Sequence, residues 1–441
     1  MKTILLFGAG KSSTVLIEYL LRHAPEYGFL LRVIDANISL AKSKISGSSF
    51  GEAIGLDITD NALRLSEVER ADIVISLLPP QLHLLVAIDC LKARKHLLTA
   101  SYVTEDLKAL DPEAKSQDLL FLCEMGLDPG IDHMSAMAIL DEIRETGGVV
   151  ESFISHCGGL VAPESDNNPW HYKISWNPRN VVTAGHAGAI YLQNGKEVAV
   201  SYDELFSQEN KVAIDSLGSY AWYPNRDSLS YLSLYGLSSI KTFIRTTLRH
   251  PDFIQGWKKI NRLSLTKDAP FYSLPGATLG AAFAHHFKEC ASQYEVARYR
   301  KEDPLFDRQL HFLGADDMLT PLIKDSFTPA SLLQEALEKN LVLADNDKDM
   351  IVMLHEIVYR KDEQGRKICS QLVVKGDDSR RTAMAKTVGL PLAISALLLL
   401  QEKITVRGVQ IPTKPEIYSP VLQTLRKEGI EFSEKDCPVA L

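Results

Sequence analysis

Short apolar runs recur at regular intervals through the first third of the chain, at residues 3–7, 29–34, 53–56, 72–78, 96–99 and 119–123. Between several of them the apolar spacing becomes that of a helix, as at 13–23 and 81–93. Nearly continuous apolar strands alternating with helices predict a parallel sheet covered on both faces. Right-handed crossovers would make that sheet doubly wound.

The pattern changes near residue 150. Strand-like stretches at 151–157 and 197–200 flank an aromatic and polar stretch at 170–179. From about 240 to 340 the reading is mostly helical, broken at Pro251, Pro270, Pro275 and Pro304. Strands return at 350–359 and 368–375, and the charged turn between them, 361–365, predicts a hairpin. An apolar helix is expected at 382–401. Its most apolar part, 388–400, is shorter than the ~20 residues a bilayer needs and contains Pro391, so it is expected to be buried.

Composition narrows the classes. A chain of 441 residues exceeds one ordinary core, so two or three domains are expected. A net charge of −8 without a Lys/Arg block argues against a nucleic-acid partner. Six cysteines form no CxxC pair, which indicates neither a zinc knuckle nor a disulfide framework and fits a cytoplasmic setting. The N-terminus runs straight into a strand-like segment without a signal-peptide cleavage site, and no membrane partner is expected.

Chemistry begins where the first strand ends, in FGAGKSS, which supplies Gly8, Gly10, Lys11, Ser12 and Ser13. This is a dinucleotide fingerprint with Ser13 in place of the third glycine. The first glycine permits the tight turn, and the second lets backbone N–H groups approach a pyrophosphate at the next helix. The second strand ends in VIDAN. A carboxylate at Asp35 would bind both ribose hydroxyls and repel a 2′-phosphate, so NAD is expected over NADP, with NADP still possible. Asp57 and Ile58, closing the third strand, are candidates for the adenine side, and a turn-forming Asp57 is equally open. Ligands of open α/β sheets bind beyond the carboxyl ends of the strands. Leu78 with Pro79, Ser101 with Tyr102, and the stretch 126–132 are therefore expected to line one crevice over the nicotinamide. The last of these contributes Leu127, Asp128, Pro129, Gly130, Ile131 and Asp132.

That stretch lies within CEMGLDPGIDHMSA. Asp128 followed by Pro129 reads as the N-cap and first residue of a helix, with Asp132 and His133 in its first turns. A metal site would require Asp128, Asp132 and His133 to converge, but neighbours on a helix diverge, so no metal is expected. His83, His285 and His286 read as structural, and His133, a possible base, is expected to serve the helix.

The motifs GLDPGIDH, CGGLVAPESDNNP, YKISW, YPNRDS and TLRH resemble those of the saccharopine dehydrogenase (L-glutamate-forming), or saccharopine reductase, family. So do the segments ISLLP with a following His, TASYVT, DMIVM and RTAMAKTVGLP, and the resemblance spans nearly the whole chain from Gly8. It implies the reversible NAD(P)-dependent cleavage of saccharopine to glutamate and 2-aminoadipate 6-semialdehyde in lysine metabolism. It also implies a homodimer and an α/β fold: a variant Rossmann domain at 1–130 and about 380–441, an α/β substrate and dimerisation domain at 131–240 and about 345–379, and a helical cap at 241–344. The chain departs from the family pattern at His156 (usually Tyr), Val161 (Pro), Asn177 (Ser), Thr246 (Gly) and His250 (Tyr), and in its acidic Asp35. These changes are expected to bear on the pocket lining more than on the reaction type.

Saccharopine carries three carboxylates, which arginine binds bidentately. The matching motifs give Arg226 and Arg249 as clamps, with Arg245 a weaker candidate if its segment is helical. Ser101 and Tyr102 are expected to offer hydroxyls to the substrate, and Thr247 and Leu248 to add hydroxyl or backbone contacts. Tyr102, Asp128 and Cys157 are the residues expected nearest the chemistry: Asp128 to position water or the amine, Tyr102 to relay a proton, Cys157 to act as a neutral donor. The competing readings are a related carboxynorspermidine- or opine-type reductive-amination dehydrogenase, a non-catalytic NAD-binding regulator and, last, a metal hydrolase.

Overall fold

A computed structural model describes residues 1–208 and 210–439 of the chain. Two compact units emerge, each discontinuous in sequence: Met1–Val149 with Arg380–Ser433, and Val150–Ser379 with Glu434–Leu441.

The first unit is built on the expected parallel sheet. Its strands are β1 (Lys2–Phe7), β2 (Phe29–Asp35), β3 (Gly51–Gly55), β4 (Ile73–Ser76), β5 (His96–Thr99) and β6 (Leu120–Leu122), with Gly408–Gln410 added last. The spatial order is Gly408–Gln410, β6, β5, β4, β1, β2, β3, every neighbour parallel. The direction of winding reverses between β1 and β4, which places a ligand crevice at their carboxyl ends. The side chains of Ile4, Leu5, Leu6 and Phe7 are wholly buried, as a strand covered on both faces requires. Helix α1 (Thr14–Tyr27) follows the glycine loop and α2 (Ile38–Ile45) follows β2. The apolar helix Ala383–Leu400 packs against α1, β4 and β5, and nearly all of its side chains are buried despite Pro391 in its middle.

The second unit carries a mixed sheet. Along its main path run Lys211–Ile214, Gly218–Pro224, Thr242–Arg249, Val149–Val161, Asp349–Lys361, Gln364–Lys375 and Ser433–Pro438. The hairpin expected from the sequence is present, with Lys361 paired to Gln364 at its tip. Five helices, Pro251–Arg262, Leu279–Glu289, Gln293–Glu302, Pro304–Phe312 and Pro329–Asn340, gather round Trp170, Trp257, Phe283, Phe306 and Leu310.

Three expectations change. The first boundary falls at Val149 rather than near 130, because the helix Ile131–Glu145 belongs to the dinucleotide-side unit. The helices do not form a separate cap at 241–344: their core is continuous with Ala221, Tyr223 and Ile244 of the sheet, and the last residues of the chain join the second unit. Thr242–Arg249 is a strand, not a helix. It is buried on both faces, which erases the period-two alternation a sequence reading relies on, while its β-branched residues favour the extended state.

Candidate active site

The loop after β1 has the geometry its glycines imply. Gly8 holds φ +102°, and a Cβ there would lie 2.7 Å from the Leu77 carbonyl oxygen. Over Gly10 nothing lies within 4 Å of a Cβ position, so the backbone can be approached closely from that side. Ser13 donates to the Gly10 carbonyl at 2.9 Å, tightening the turn into α1. The close packing that a third glycine ordinarily allows comes from the neighbouring helix instead: a Cβ on Gly389 would meet Leu16 N at 3.0 Å and the Ser12 carbonyl at 3.2 Å. These residues fit a dinucleotide, with Lys11 and Ser12 exposed or half-buried on the loop.

Asp35 is engaged differently from the sequence expectation. One carboxylate oxygen accepts from Ala9 N at 2.8 Å and the other from Asn37 N at 2.8 Å. From α2, Lys44 donates to Ser13 Oγ at 2.9 Å and to the Gly10 carbonyl. Burial, assisted by nearby Arg380 and opposed by Asp35, lowers the Lys44 ammonium to about 8. A carboxylate already holding two backbone N–H groups, with a cation near it, no longer argues for NAD over NADP. Lys44 was not legible as a site residue, because only the tertiary fold lays α2 against the loop. Asp57 accepts from Thr59 N at 2.9 Å and Thr59 Oγ1 at 2.7 Å, which makes it the turn-former. Its neighbour Ile58 receives Arg64 on its carbonyl.

The stretch after β6 is mostly a buried polar network. From 119 to 137 every residue is buried except Asp128. Glu124 accepts from Val103 N at 3.0 Å and meets His133 Nε2 at 2.8 Å. Asp132 accepts from Gly130 N at 2.6 Å. Asp128 is not an N-cap: the helix starts at Ile131, Gly130 is its cap residue, and the Asp128–Pro129 bond is cis. Gly130 is required there, because a Cβ would fall 2.0 Å from the Gly126 carbonyl oxygen. Leu127, Pro129 and Ile131 are buried framework rather than an open lining. Asp128 instead receives the Tyr102 hydroxyl at 3.2 Å, and both side chains are half-buried.

Beside them a relay runs through a histidine that the sequence reading left as structural. His83 Nδ1 meets Ser76 Oγ at 2.8 Å, and its Nε2 meets Ser101 Oγ at 2.6 Å. Burial lowers the imidazole to about 4, so it is neutral at physiological pH and fixes the Ser101 hydroxyl as a neutral partner. Ser76, Leu78, Ser101, Tyr102 and Asp128 thus all belong to the carboxyl ends of β4, β5 and β6 or the loops that follow, as strand order requires.

In the second unit, Val149–Val161 and Thr242–Arg249 run parallel, with Cys157 opposite Thr247, and Tyr223 pairs with Thr247 from the other side. Those three side chains share one sheet face, and Arg249, two residues beyond Thr247, shares it too. Arg249 is buried, with its guanidinium 5.3 Å from the Tyr172 ring and 5.6 Å from the Phe253 ring. Its Nη1 donates to the Leu248 carbonyl at 2.8 Å, while its Nε is buried without a hydrogen bond. No carboxylate pairs with it among the described residues. Leu248 points to the opposite face, into a core with Leu160 and Met350, so only its backbone remains available. A Cβ on Gly158 would lie 2.7 Å from Leu248 Cβ, which explains the glycine of CGGL. Arg245 lies on a strand, buried with its guanidinium 4.6 Å from the Tyr231 ring, and is not one helical turn from Arg249. Arg226 is exposed, next to Asp227 on the wall of a cavity of about 550 Å³ also lined by Ile190 and Glu204. The strand Gly218–Pro224 ends before Arg226, which holds φ +51° and starts a two-residue strand paired with Ala189–Gln193 rather than with Thr242–Arg249. The two arginines therefore belong to strands that do not pair with each other.

Two departures from the family pattern meet each other. His156 Nδ1 lies 2.7 Å from Thr246 Oγ1, and its Nε2 lies 3.1 Å from Glu356, which also pairs with Lys367. These groups sit on the sheet face opposite Cys157 and Thr247, so the changes at 156 and 246 do not line the Arg249 face, contrary to expectation.

Comparison with known proteins bears on all of this. A family described as the saccharopine dehydrogenase NADP binding domain matches residues 4–122, and one described as the saccharopine dehydrogenase C-terminal domain matches residues 126–430. The chain is 36% identical over 435 residues to an alpha-aminoadipic semialdehyde synthase of Arabidopsis thaliana, covering 92% of this chain and 41% of that one. It therefore spans less than half the length of that relative. It is 31% identical over 453 residues to the saccharopine dehydrogenase (NADP(+), L-glutamate-forming) of Schizosaccharomyces pombe, covering 99% of both. Its structure resembles the apo saccharopine dehydrogenase (L-Glu forming) from Saccharomyces cerevisiae with a TM-score of 0.88 at 28% identity, covering 99% of this chain and 100% of that one. The matching family is described as an NADP binding domain, which is consistent with a nicotinamide dinucleotide and favours NADP, the possibility the reading of Asp35 had left second. From its dinucleotide loop to its second sheet, the chain belongs to the saccharopine dehydrogenase family.

Proposed function

We propose that this chain is an NADP-dependent saccharopine dehydrogenase that cleaves L-saccharopine, with water, to L-glutamate and L-2-aminoadipate 6-semialdehyde in lysine metabolism. The observation that carries the reading is Arg249, a buried guanidinium with an unpartnered Nε and, among the described residues, no carboxylate paired with it. A buried cation costs several kcal/mol unless a counter-charge accompanies it, and a substrate carboxylate supplies that charge with bidentate geometry. A regulator that only bound a dinucleotide would have no use for such a group.

NADP, when bound, supplies the hydride acceptor for the carbon beside the secondary amine. The chain's own residues do the rest. Asp128, half-buried, accepts a proton from the water that adds to the substrate iminium. Tyr102, hydrogen-bonded to Asp128, passes protons between that carboxylate and the amine. Ser101, held by neutral His83, orients the substrate through its hydroxyl. Cys157, buried on the Arg249 face, offers its thiol as a donor, and Arg226, on the short strand paired with Ala189–Gln193, serves a second carboxylate of an extended substrate. Lys44 favours the 2′-phosphate of NADP, and that anion in turn raises the ammonium above about 8. As parts of the same proposal, the enzyme works in the cytosol, where its six free thiols are stable, and as a homodimer.

The test is a steady-state assay following reduced nicotinamide with saccharopine and each cofactor. Turnover is expected with NADP, and at lower efficiency with NAD. In Arg249→Lys, which keeps the charge but loses the fork, KM for saccharopine should rise by at least ~10-fold while KM for NADP holds. An unchanged KM for saccharopine would remove Arg249 from the substrate site. No turnover of saccharopine with either cofactor would sink the reading as a whole.

A further inference from the structure

His250, which ends the Thr242–Arg249 strand and caps the helix Pro251–Arg262, lies in a cluster the sequence did not mark. Its ring stacks on that of His171, with centroids 3.9 Å apart and planes 28° from parallel. Both rings turn a nitrogen toward the same carboxylate: Asp252 Oδ2 is 3.3 Å from His171 Nε2 and 3.9 Å from His250 Nδ1. On its other side His171 Nδ1 lies 2.6 Å from Asp166 Oδ2, and Asp166 Oδ1 is buried without a hydrogen bond.

We propose that His171, His250 and Asp252 form a site for a divalent transition ion of the zinc class, with Asp166 as the outer carboxylate. The three donor atoms lie within 4.8 Å of one another. A tetrahedral ion with bonds of 2.0–2.1 Å needs donors about 3.4 Å apart. The His171–Asp252 edge already has that length, and the His250–Asp252 edge must close by roughly half an ångström, a side-chain rotation that releases the hydrogen bond His250 Nδ1 accepts from Asp252 N at 3.3 Å. With an ion on its Nε2, His171 would donate from Nδ1 to Asp166 Oδ2, 2.6 Å away. That carboxylate–imidazole–ion order is the usual support of a bound metal. Imidazole and carboxylate donors together suit zinc or cobalt better than magnesium or calcium. All four residues are partly exposed, so an ion has a way in, and the fourth coordination position goes to water.

The site is tested on the full chain after dialysis against a chelator, with Co2+ followed by its visible d–d absorption and Zn2+ by calorimetry. One tightly bound ion per chain with a tetrahedral cobalt spectrum is expected. Affinity should fall at least tenfold in His171→Ala and in His250→Tyr, and by about 10-fold or more in Asp166→Asn. Should either variant fold poorly, diethyl pyrocarbonate labelling of the wild-type chain decides: Zn2+ should protect His171 and His250 and leave His311 reactive. No stoichiometric ion, undiminished binding in the His171→Ala/His250→Tyr pair, or no protection at these two rings would overturn the proposal.

Discussion

Asp128 carries two readings in the sequence, a helix cap and a carboxylate beside the chemistry, and the structure removes the first. Its place before Pro129 suggests a cap, yet the helix begins three residues later and the carboxylate faces the Tyr102 hydroxyl. Asp128→Asn is therefore expected to lower turnover by about 100-fold or more, the scale of lost general-base catalysis, while the thermal midpoint stays within a degree or two. An unchanged turnover number would take Asp128 out of the chemistry. His83 makes a second prediction at this scale. Its pKa is 6.5 in the unfolded chain and about 4 when buried. The unfolded state thus binds more protons between these values, so the stability contribution is complete above pH 6.5 and is lost as pH falls through 4. The difference amounts to about 3 kcal/mol, and urea unfolding of the wild type and His83→Gln at neutral and acid pH should show it in the wild type alone. His83 was legible as a histidine after a strand end, but its partners Ser76 and Ser101 come from two other segments, and only the fold joins them.

At the level of elements, the parallel strands and the terminal hairpin follow from composition and periodicity, because burial on both faces or one face imposes a pattern on adjacent residues. The strand Thr242–Arg249 does not announce itself in that way, since its buried faces carry Arg245, Thr246 and Arg249 in place of a continuous apolar run. Reading it as a helix would place Arg245 and Arg249 one turn apart; as a strand they lie about 13 Å apart along one face, each against its own aromatic ring. Two glycines hold elements at contact distance. Gly130→Ala cannot be accommodated against the Gly126 carbonyl and should destabilise the first unit by several kcal/mol, read as a lower urea midpoint. Gly389→Ala pushes on Leu16 and Ser12 at the dinucleotide loop and should weaken NADP binding, measured by calorimetry, more than it lowers stability. Equal dinucleotide affinity in Gly389→Ala would show that the loop does not depend on this packing.

Across the whole molecule the chain crosses between its two units more than once, and its last strand returns to the second sheet. There Asp436 pairs with Arg366 at 2.8 Å and accepts from Tyr359 at 2.9 Å, and Glu434 accepts from Ser370 at 3.0 Å. Truncation after Ser433 should lower the stability of the second unit and leave NADP affinity unchanged, since the dinucleotide loop belongs to the first unit. Glu356, on an inner strand of the same sheet, carries the sheet's acid sensitivity. Hydrogen bonding by His156, and then by Lys367, holds its carboxyl at about 2 against an ordinary 4.5. Its contribution is present above pH 4.5 and is lost as pH falls through 2, and Glu356→Gln should remove that part of the acid transition.

The sequence by itself determined the parallel dinucleotide sheet, its glycine loop, the hairpin of the second unit and the family to which the motifs belong. These follow from local rules: strand periodicity, turn chemistry and residues held at short spacing. The tertiary structure alone decided that Asp128 is no cap, that Asp35 holds its own backbone while Lys44 reaches the loop, that Arg249 is buried with no carboxylate paired to it among the described residues, and that His171 meets His250. Each of these depends on the three-dimensional path of the backbone, most of them on atoms brought together across tens of residues, and sequence spacing does not encode the distance between side chains on different elements.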